Sequence, residues 1–152
     1  MKNIILSLFI ISFACSCTQI EKSTENNQLY NQYKYFISLL NNENYSDASN
    51  LISERNIRDL TTNSNRQQFA SYFPALSSLN DVFKNETDHF EKRNGNIACL
   101  TVVGYDSSNE KTAVDIKYLD EENSWKIDFV HLSYLDIADT LPTEATCPTR
   151  MQ

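Results

Sequence analysis

The period of the hydrophobic pattern changes once along the chain, near Thr87, and this limits the possible folds more than any other feature of the sequence. Before that point, across residues 28–83, apolar residues recur at helical spacing. Leu29, Tyr33, Phe36, Ile37 and Leu40 fall at i, i+4, i+7, i+8 and i+11, one face of a helix that ends near Asn41-Asn42. Ser46 is placed to cap a second short helix with Ala48, Leu51 and Ile52 turned inward. Residues 55–65 fit helix or loop, and the polar run 61–65 reads as a loop. A third helical pattern follows in Phe69, Tyr72, Phe73, Leu76, Leu79 and Phe83. Pro74 lies inside it and must either kink the helix or open a new one at its first turn.

Beyond Thr87 the period moves towards two. Residues 87–92 form a weak strand, and Arg93-Asn94-Gly95-Asn96 carries the Asn-Gly hairpin signal. Residues 97–105 are rich in β-branched side chains, and residues 106–110 turn the chain. Residues 112–119 alternate Val114, Ile116 and Tyr118 against Ala113, Asp115 and Lys117. After a turn at 120–124, Trp125-Lys126-Ile127-Asp128-Phe129 alternates and Val130-His131-Leu132 continues the strand. Short connections force neighbours to be antiparallel. The prediction is an α+β domain, with N-terminal helices packed on one face of an antiparallel sheet of about four strands.

The N-terminus carries an address. Met1-Lys2-Asn3 is followed by eleven residues, Ile4 to Ala14, interrupted only by serines. This is far short of the ~20 residues of a spanning helix and inside the ~7–15 of a secretory core. The small residues Ala14-Cys15-Ser16 before Cys17, and Ser12-Phe13-Ala14 before Cys15, resemble the lipobox of bacterial lipoproteins. The resemblance implies cleavage and lipidation at Cys17, with Cys15 as the alternative. Together with the periodicity, it divides the chain into a signal peptide (1–16), a lipidated tether (17–27), a folded domain (28–136) and a C-terminal tail (137–152). A serine or threonine after the cysteine, rather than aspartate, points by the same resemblance to the outer membrane facing the periplasm. Two acyl chains make such an anchor stable where one does not.

An exported chain meets an oxidising space, so the remaining cysteines, Cys99 and Cys147, read as a disulfide that staples the tail to a strand. A reduced pair is the alternative. The chain carries thirteen Lys+Arg against twenty Asp+Glu, a net charge of −7. That balance repels phosphate backbones and excludes nucleic acid as a partner class. Only two glycines exclude Gly-rich phosphate loops.

Tyr33-Lys34-Tyr35-Phe36-Ile37 with Leu39-Leu40, then Asn44-Tyr45-Ser46-Asp47-Ala48, resembles the first two helices of nuclear-transport-factor-like domains, which include ketosteroid-isomerase-like members. Trp125-Lys126-Ile127-Asp128-Phe129-Val130 is similar to their last long strand. The resemblance implies a cone, with a curved sheet wrapping helices around a cavity. On that reading His131 and Asp115 meet on the concave face with Tyr33 or Tyr118 nearby, a set able to move a proton next to a carbonyl. The alternative is that His131 is an ordinary strand residue and Asp115 a solvated partner of Lys117 or Lys126. No metal-ligand spacing, nucleophile elbow or Cys-x-x-Cys occurs, and no cofactor or metal is implied. Two functions follow as expectations. The first is a non-enzymatic, membrane-anchored binding or accessory module for an envelope protein or small apolar ligand. The second is an isomerase- or dehydratase-like enzyme using the cavity between helices and sheet.

Overall fold

A computed structural model describes residues 27–57 and 66–149. The export segment, Cys15, Cys17, nearly all of the tether and the 61–65 run lie outside the described residues. The elements are α1 (Gln28–Asn41), α2 (Tyr45–Ser49), α3 (Glu54–Ile57), α4 (Arg66–Tyr72), α5 (Pro74–Ser77) and a 3₁₀ turn (Leu79–Asp81). They are followed by β1 (Asn85–Asn94), β2 (Ile97–Tyr105), β3 (Lys111–Glu121) and β4 (Ser124–Tyr134). The strands form one open antiparallel sheet in the order β1-β2-β3-β4. The fold is α+β.

Helix α1 buries Leu29, Tyr33, Phe36, Leu39 and Leu40, while Ile37 falls at the half-buried margin. α2 is capped by Asn44, whose Oδ1 accepts the Asp47 amide at 3.3 Å, and not by Ser46. The helix starts one residue before Ser46, which puts Ser46 inside its first turn. Pro74 opens α5 at its first turn, with Phe73 as the preceding cap residue; its missing N–H costs nothing there.

The helices and one sheet face share a single apolar core. Phe69 packs its ring 5.5 Å from Tyr45 and 6.4 Å from Phe36. From the sheet, Leu100, Val102, Val114, Ile116, Tyr118 and Ile127 meet them, all at 1% exposure or less. Each such side chain stabilises the fold by roughly 1.5–3 kcal/mol.

The opposite sheet face is covered too. β2 is buried at every position except its two ends, so the expected alternation of buried and wet residues is lost there. The cover is the C-terminal tail. The Leu135 amide donates to the Lys111 carbonyl (2.9 Å), and Lys111 Nζ donates to the carbonyls of Ile137 (2.9 Å) and Asp139 (2.6 Å). Further on, the Thr146 amide donates to Thr101 Oγ1 (2.8 Å), Ala145 and Pro148 are buried, and Cys147 stands at disulfide distance from Cys99, Cα–Cα 5.2 Å. The tail therefore runs back across the sheet.

Two turns and one close approach set the strand register. The β1–β2 turn is Gly95-Asn96, with Gly95 at φ +61, so the glycine takes the first central place rather than the second. The β3–β4 turn holds Glu122 (φ 54) and Asn123 (φ 62), both left-handed, the pair of signs a type I′ turn needs. A Cβ on Gly104 would lie 2.2 Å from the Asn85 carbonyl oxygen, beside the β1 bulge at Thr87.

Gly104→Ala is expected to destabilise the protein by about 1–3 kcal/mol, because rigid backbone must move. Chemical denaturation checks it, and an unchanged midpoint would refute the close approach. Reducing Cys99–Cys147 releases a 48-residue loop constraint and should cost about 4 kcal/mol in the chain-entropy description. The same denaturation run with and without reductant reads that difference.

Candidate functional site

β4 contains one residue more than its partner requires. Tyr118 pairs with Ile127 and Lys117 with Phe129, so Asp128 faces no residue on β3. Such a bulge re-aims a side chain and reverses the faces of everything beyond it. Ile127 points to the helices, Asp128 is re-aimed towards the chain before α3, and Phe129 and His131 fall on the tail side.

The segment before α3 is pinned at the same place. The Ile127 amide donates to the Leu51 carbonyl (2.7 Å), and the Ser53 amide donates to the Ile127 carbonyl (2.9 Å), a short parallel bridge on the β4 edge. This brings Ser53, Arg55 and Asn56 to Asp128. Ser53 Oγ donates to Asp128 Oδ1 (3.3 Å), and Asn56 Nδ2 donates to both Ser53 Oγ (2.8 Å) and the Asp128 carbonyl (2.6 Å). Arg55 donates through Nε to one carboxylate oxygen and through Nη2 to the other. The Asp128 side chain is 1% exposed and that of Arg55 46%. The hydrogen bonds that Arg55 donates to Asp128, more than the carboxylate's charge, push the guanidinium pKa up. Among the described residues, no buried side-chain nitrogen or oxygen lacks a partner.

Arg55, Asn56 and Asp128 line one wall of a cleft of about 530 Å³ at the β4 edge. Tyr72, Phe73, Pro74, Ala75 and Leu76 from the α4–α5 segment, with Val130, supply apolar walls, and Phe129 borders the cleft at the strand edge. A larger groove of about 730 Å³ runs along β1 between Asn27 and tail residues 143–145. Its wall is mostly polar and already engaged: Glu91 accepts the Tyr30 amide, and His89 stacks on Tyr30. The β4 cleft is therefore the better candidate for an apolar ligand.

The residues singled out from the sequence divide between the two sheet faces. Asp115 and His131 are cross-strand neighbours on the tail side, His131 Nδ1 to Asp115 Oδ2 3.8 Å, with the imidazole side chain 52% exposed. Thr101 Oγ1 donates to Asp115 Oδ1 (2.6 Å) and in turn accepts the Thr146 amide. Ser133 Oγ lies 3.3 Å from the same His131 Nδ1. A hydroxyl–imidazole–carboxylate relay needs its two partners on opposite ring nitrogens, and here both address one. Tyr33 and Tyr118 lie on the helix side, buried in the core. The expected grouping of Asp115 and His131 with Tyr33 or Tyr118 on one face is not what the chain forms: Asp115 alternates with Tyr118 along β3 and faces the tail, and the bulge at Asp128 puts His131 on that same tail face. The expected solvated Asp115 is also corrected: its carboxylate is buried under the tail. Lys126 donates instead to the Asn50 carbonyl (2.6 Å).

Tyr33 belongs to a different polar set that docks α1 onto β1. Glu86 accepts from Tyr30 (2.7 Å), from Lys34 (3.0 Å) and, more distantly, from Tyr33 (3.5 Å). Glu91 accepts the Tyr30 amide near the start of α1 (2.8 Å), supplying a cap that the Asn27 side chain does not. Burial pushes the Glu91 carboxyl pKa up. Neither Arg55, Asp128 nor Glu86 stands out in the sequence. Arg55 and Asp128 are 73 residues apart, and an acid inside a strand reads as a wet position. Among the described residues, no group of three or more His, Cys, Asp and Glu is placed to hold a metal. No described helix is long and apolar enough to cross a membrane.

Compared with known proteins, the sequence matches no family model and has no significant match among curated proteins.

Burial first, then the Glu86 hydrogen bond and charge, push the Tyr30 phenol from 10.0 up to about 12. Tyr33 is raised further, chiefly by burial. A phenol with a raised folded pKa favours the folded state below pH 10, and that contribution is lost as pH climbs through about 12. The contact between α1 and β1 is expected to loosen across that window. Absorbance titration should show a late tyrosine step that Tyr30→Phe removes in part, and an unchanged titration in the variant would refute the assignment.

Proposed function

We propose that the protein is a lipid-anchored binding or accessory module of the bacterial cell envelope, attached through Cys17 or Cys15, with a nuclear-transport-factor-like cone as its folded body. The β4-edge cleft is the observation that carries the reading. It is a concave, aromatic-lined site with one oriented charged pair, the usual form of a small-molecule or peptide-anchor site. The Cys99–Cys147 pair supports an oxidising compartment. A helix layer on one face of a sequential antiparallel sheet is in keeping with the cone, and the cleft lies where the two layers part. The net charge of −7 favours a basic surface on a protein partner. The proton-transfer alternative needs Tyr33 or Tyr118 and the Asp115–His131 pair in one pocket, and the sheet stands between them.

Two measurements test the proposal. Palmitate labelling in the native cell should tag the protein and vanish when both Cys15 and Cys17 are replaced; label that survives removes the anchor. A photo-crosslinking residue in place of Tyr72, at the cleft, should capture a ligand or partner in the intact envelope. The same residue in place of exposed Tyr134 should capture far less. Equal capture at the two positions counts against the cleft.

A further inference from the structure

We propose that the β4-edge cleft takes a small monocarboxylate with an aromatic or branched apolar body, and that Arg55 is the group that reads the carboxylate. The inference rests on the cleft being the binding site and specifies its ligand chemistry. A guanidinium offers five N–H donors in a rigid plane. Arg55 spends one from Nε and one from Nη2 on Asp128, a side-on engagement. Among the described residues the two N–H groups of Nη1 and the second of Nη2 meet no acceptor and lie along the other edge of the plane, the geometry that accepts a carboxylate end-on.

The pair is asymmetric in the way such a reader requires. Asp128 is 1% exposed and held by Ser53, so it stays behind the arginine, whereas Arg55 is 46% exposed and lines the cleft. An arginine anchored from behind loses little rotamer freedom when a ligand arrives. The bulge that re-aims Asp128 is thereby part of the site. The remaining lining suits an apolar body: Tyr72, Phe73 and Leu76 on one side, Val130 on the other. The volume of about 530 Å³ fits a small molecule. The signs of the surrounding charges restrict the ligand further. An ammonium head would meet the guanidinium, with the Asp128 charge sealed behind it. Among the described lining residues Arg55 is the only cation, so a second carboxylate would find no partner. A single carboxylate is the head group that remains.

The test is an amide-resolved NMR titration of the full exported chain with 3-phenylpropionate, its neutral amide and 3-phenylpropylamine. The acid is expected to give saturable shifts at Asn56, Leu76, Phe129 and Val130. The amide and the amine should bind at least about tenfold more weakly, the usual scale for losing a charge-assisted pair. Arg55→Lys keeps the charge but loses the planar fork; it should weaken the acid about tenfold and leave the amide unchanged. Arg55→Gln with Asp128→Asn removes both charges, so no buried ion is stranded if Arg55→Gln alone fails to fold. That double variant should bind acid and amide alike. Equal affinity of acid and amide for the native chain, or full affinity in Arg55→Lys, overturns the carboxylate assignment while leaving an apolar binding cleft. Shifts confined to another face, or none with any probe, overturn the inference. Capture at position 72 in the envelope then judges the binding-module reading separately.

Discussion

The extra residue in β4 is the constraint from which most of the architecture follows. Asp128 interrupts the pairing of β4 with β3, so Ile127 belongs to the core and Phe129 and His131 belong to the opposite face. The same interruption turns a carboxylate towards the chain before α3. A buried carboxylate is costly unless it is paired and hydrogen-bonded. Ser53 and Arg55 meet that requirement, and by doing so they fasten the α2–α3 connection to the sheet edge. The bridge between Ile52 and Ile127 adds backbone hydrogen bonds at the same point. An edge strand that would otherwise present unpaired groups is thus covered at the place where the cleft opens.

The second organising contact lies on the other side of the sheet. A chain of Thr146 amide to Thr101 hydroxyl to Asp115 carboxylate carries the tail across the central strands, and the Cys99–Cys147 pair holds it there. Three layers result: helices, sheet and an irregular strap. The strap explains why β2 is buried on both faces and why Val103 and Ala113, on the face away from the helices, are as dry as the core. It also explains how Asp115 is tolerated at 8% exposure, since its partners arrive from β2, β4 and, through Thr101, the tail.

Much of the fold is readable from residue pattern. Leu29, Tyr33, Phe36 and Leu40 mark the buried face of α1 because a helix repeats every 3.6 residues whatever surrounds it. Val114, Ile116 and Tyr118 mark the core face of β3 because successive strand residues alternate. The candidate site was not readable in the same way. Arg55, Asn56, Tyr72 and Asp128 come from separate elements, and none belongs to a motif. The alternation through Trp125, Ile127 and Phe129 looks unbroken in one dimension, and the bulge that breaks it is set by what Asp128 finds around it.

The sequence by itself determined the helical first half, the four strands of the antiparallel meander and the two cysteines available to tie down the tail. These depend on local periodicity, short connections and residue chemistry, all of which are properties of neighbours along the chain. Tertiary structure decided which face of β4 each side chain occupies, that Asp115 and His131 meet apart from Tyr33, and that an arginine and an aspartate 73 residues apart form one wall of a cleft. Those outcomes depend on desolvation and hydrogen-bond partners supplied by distant segments, and a single bulged residue is enough to exchange one face for the other.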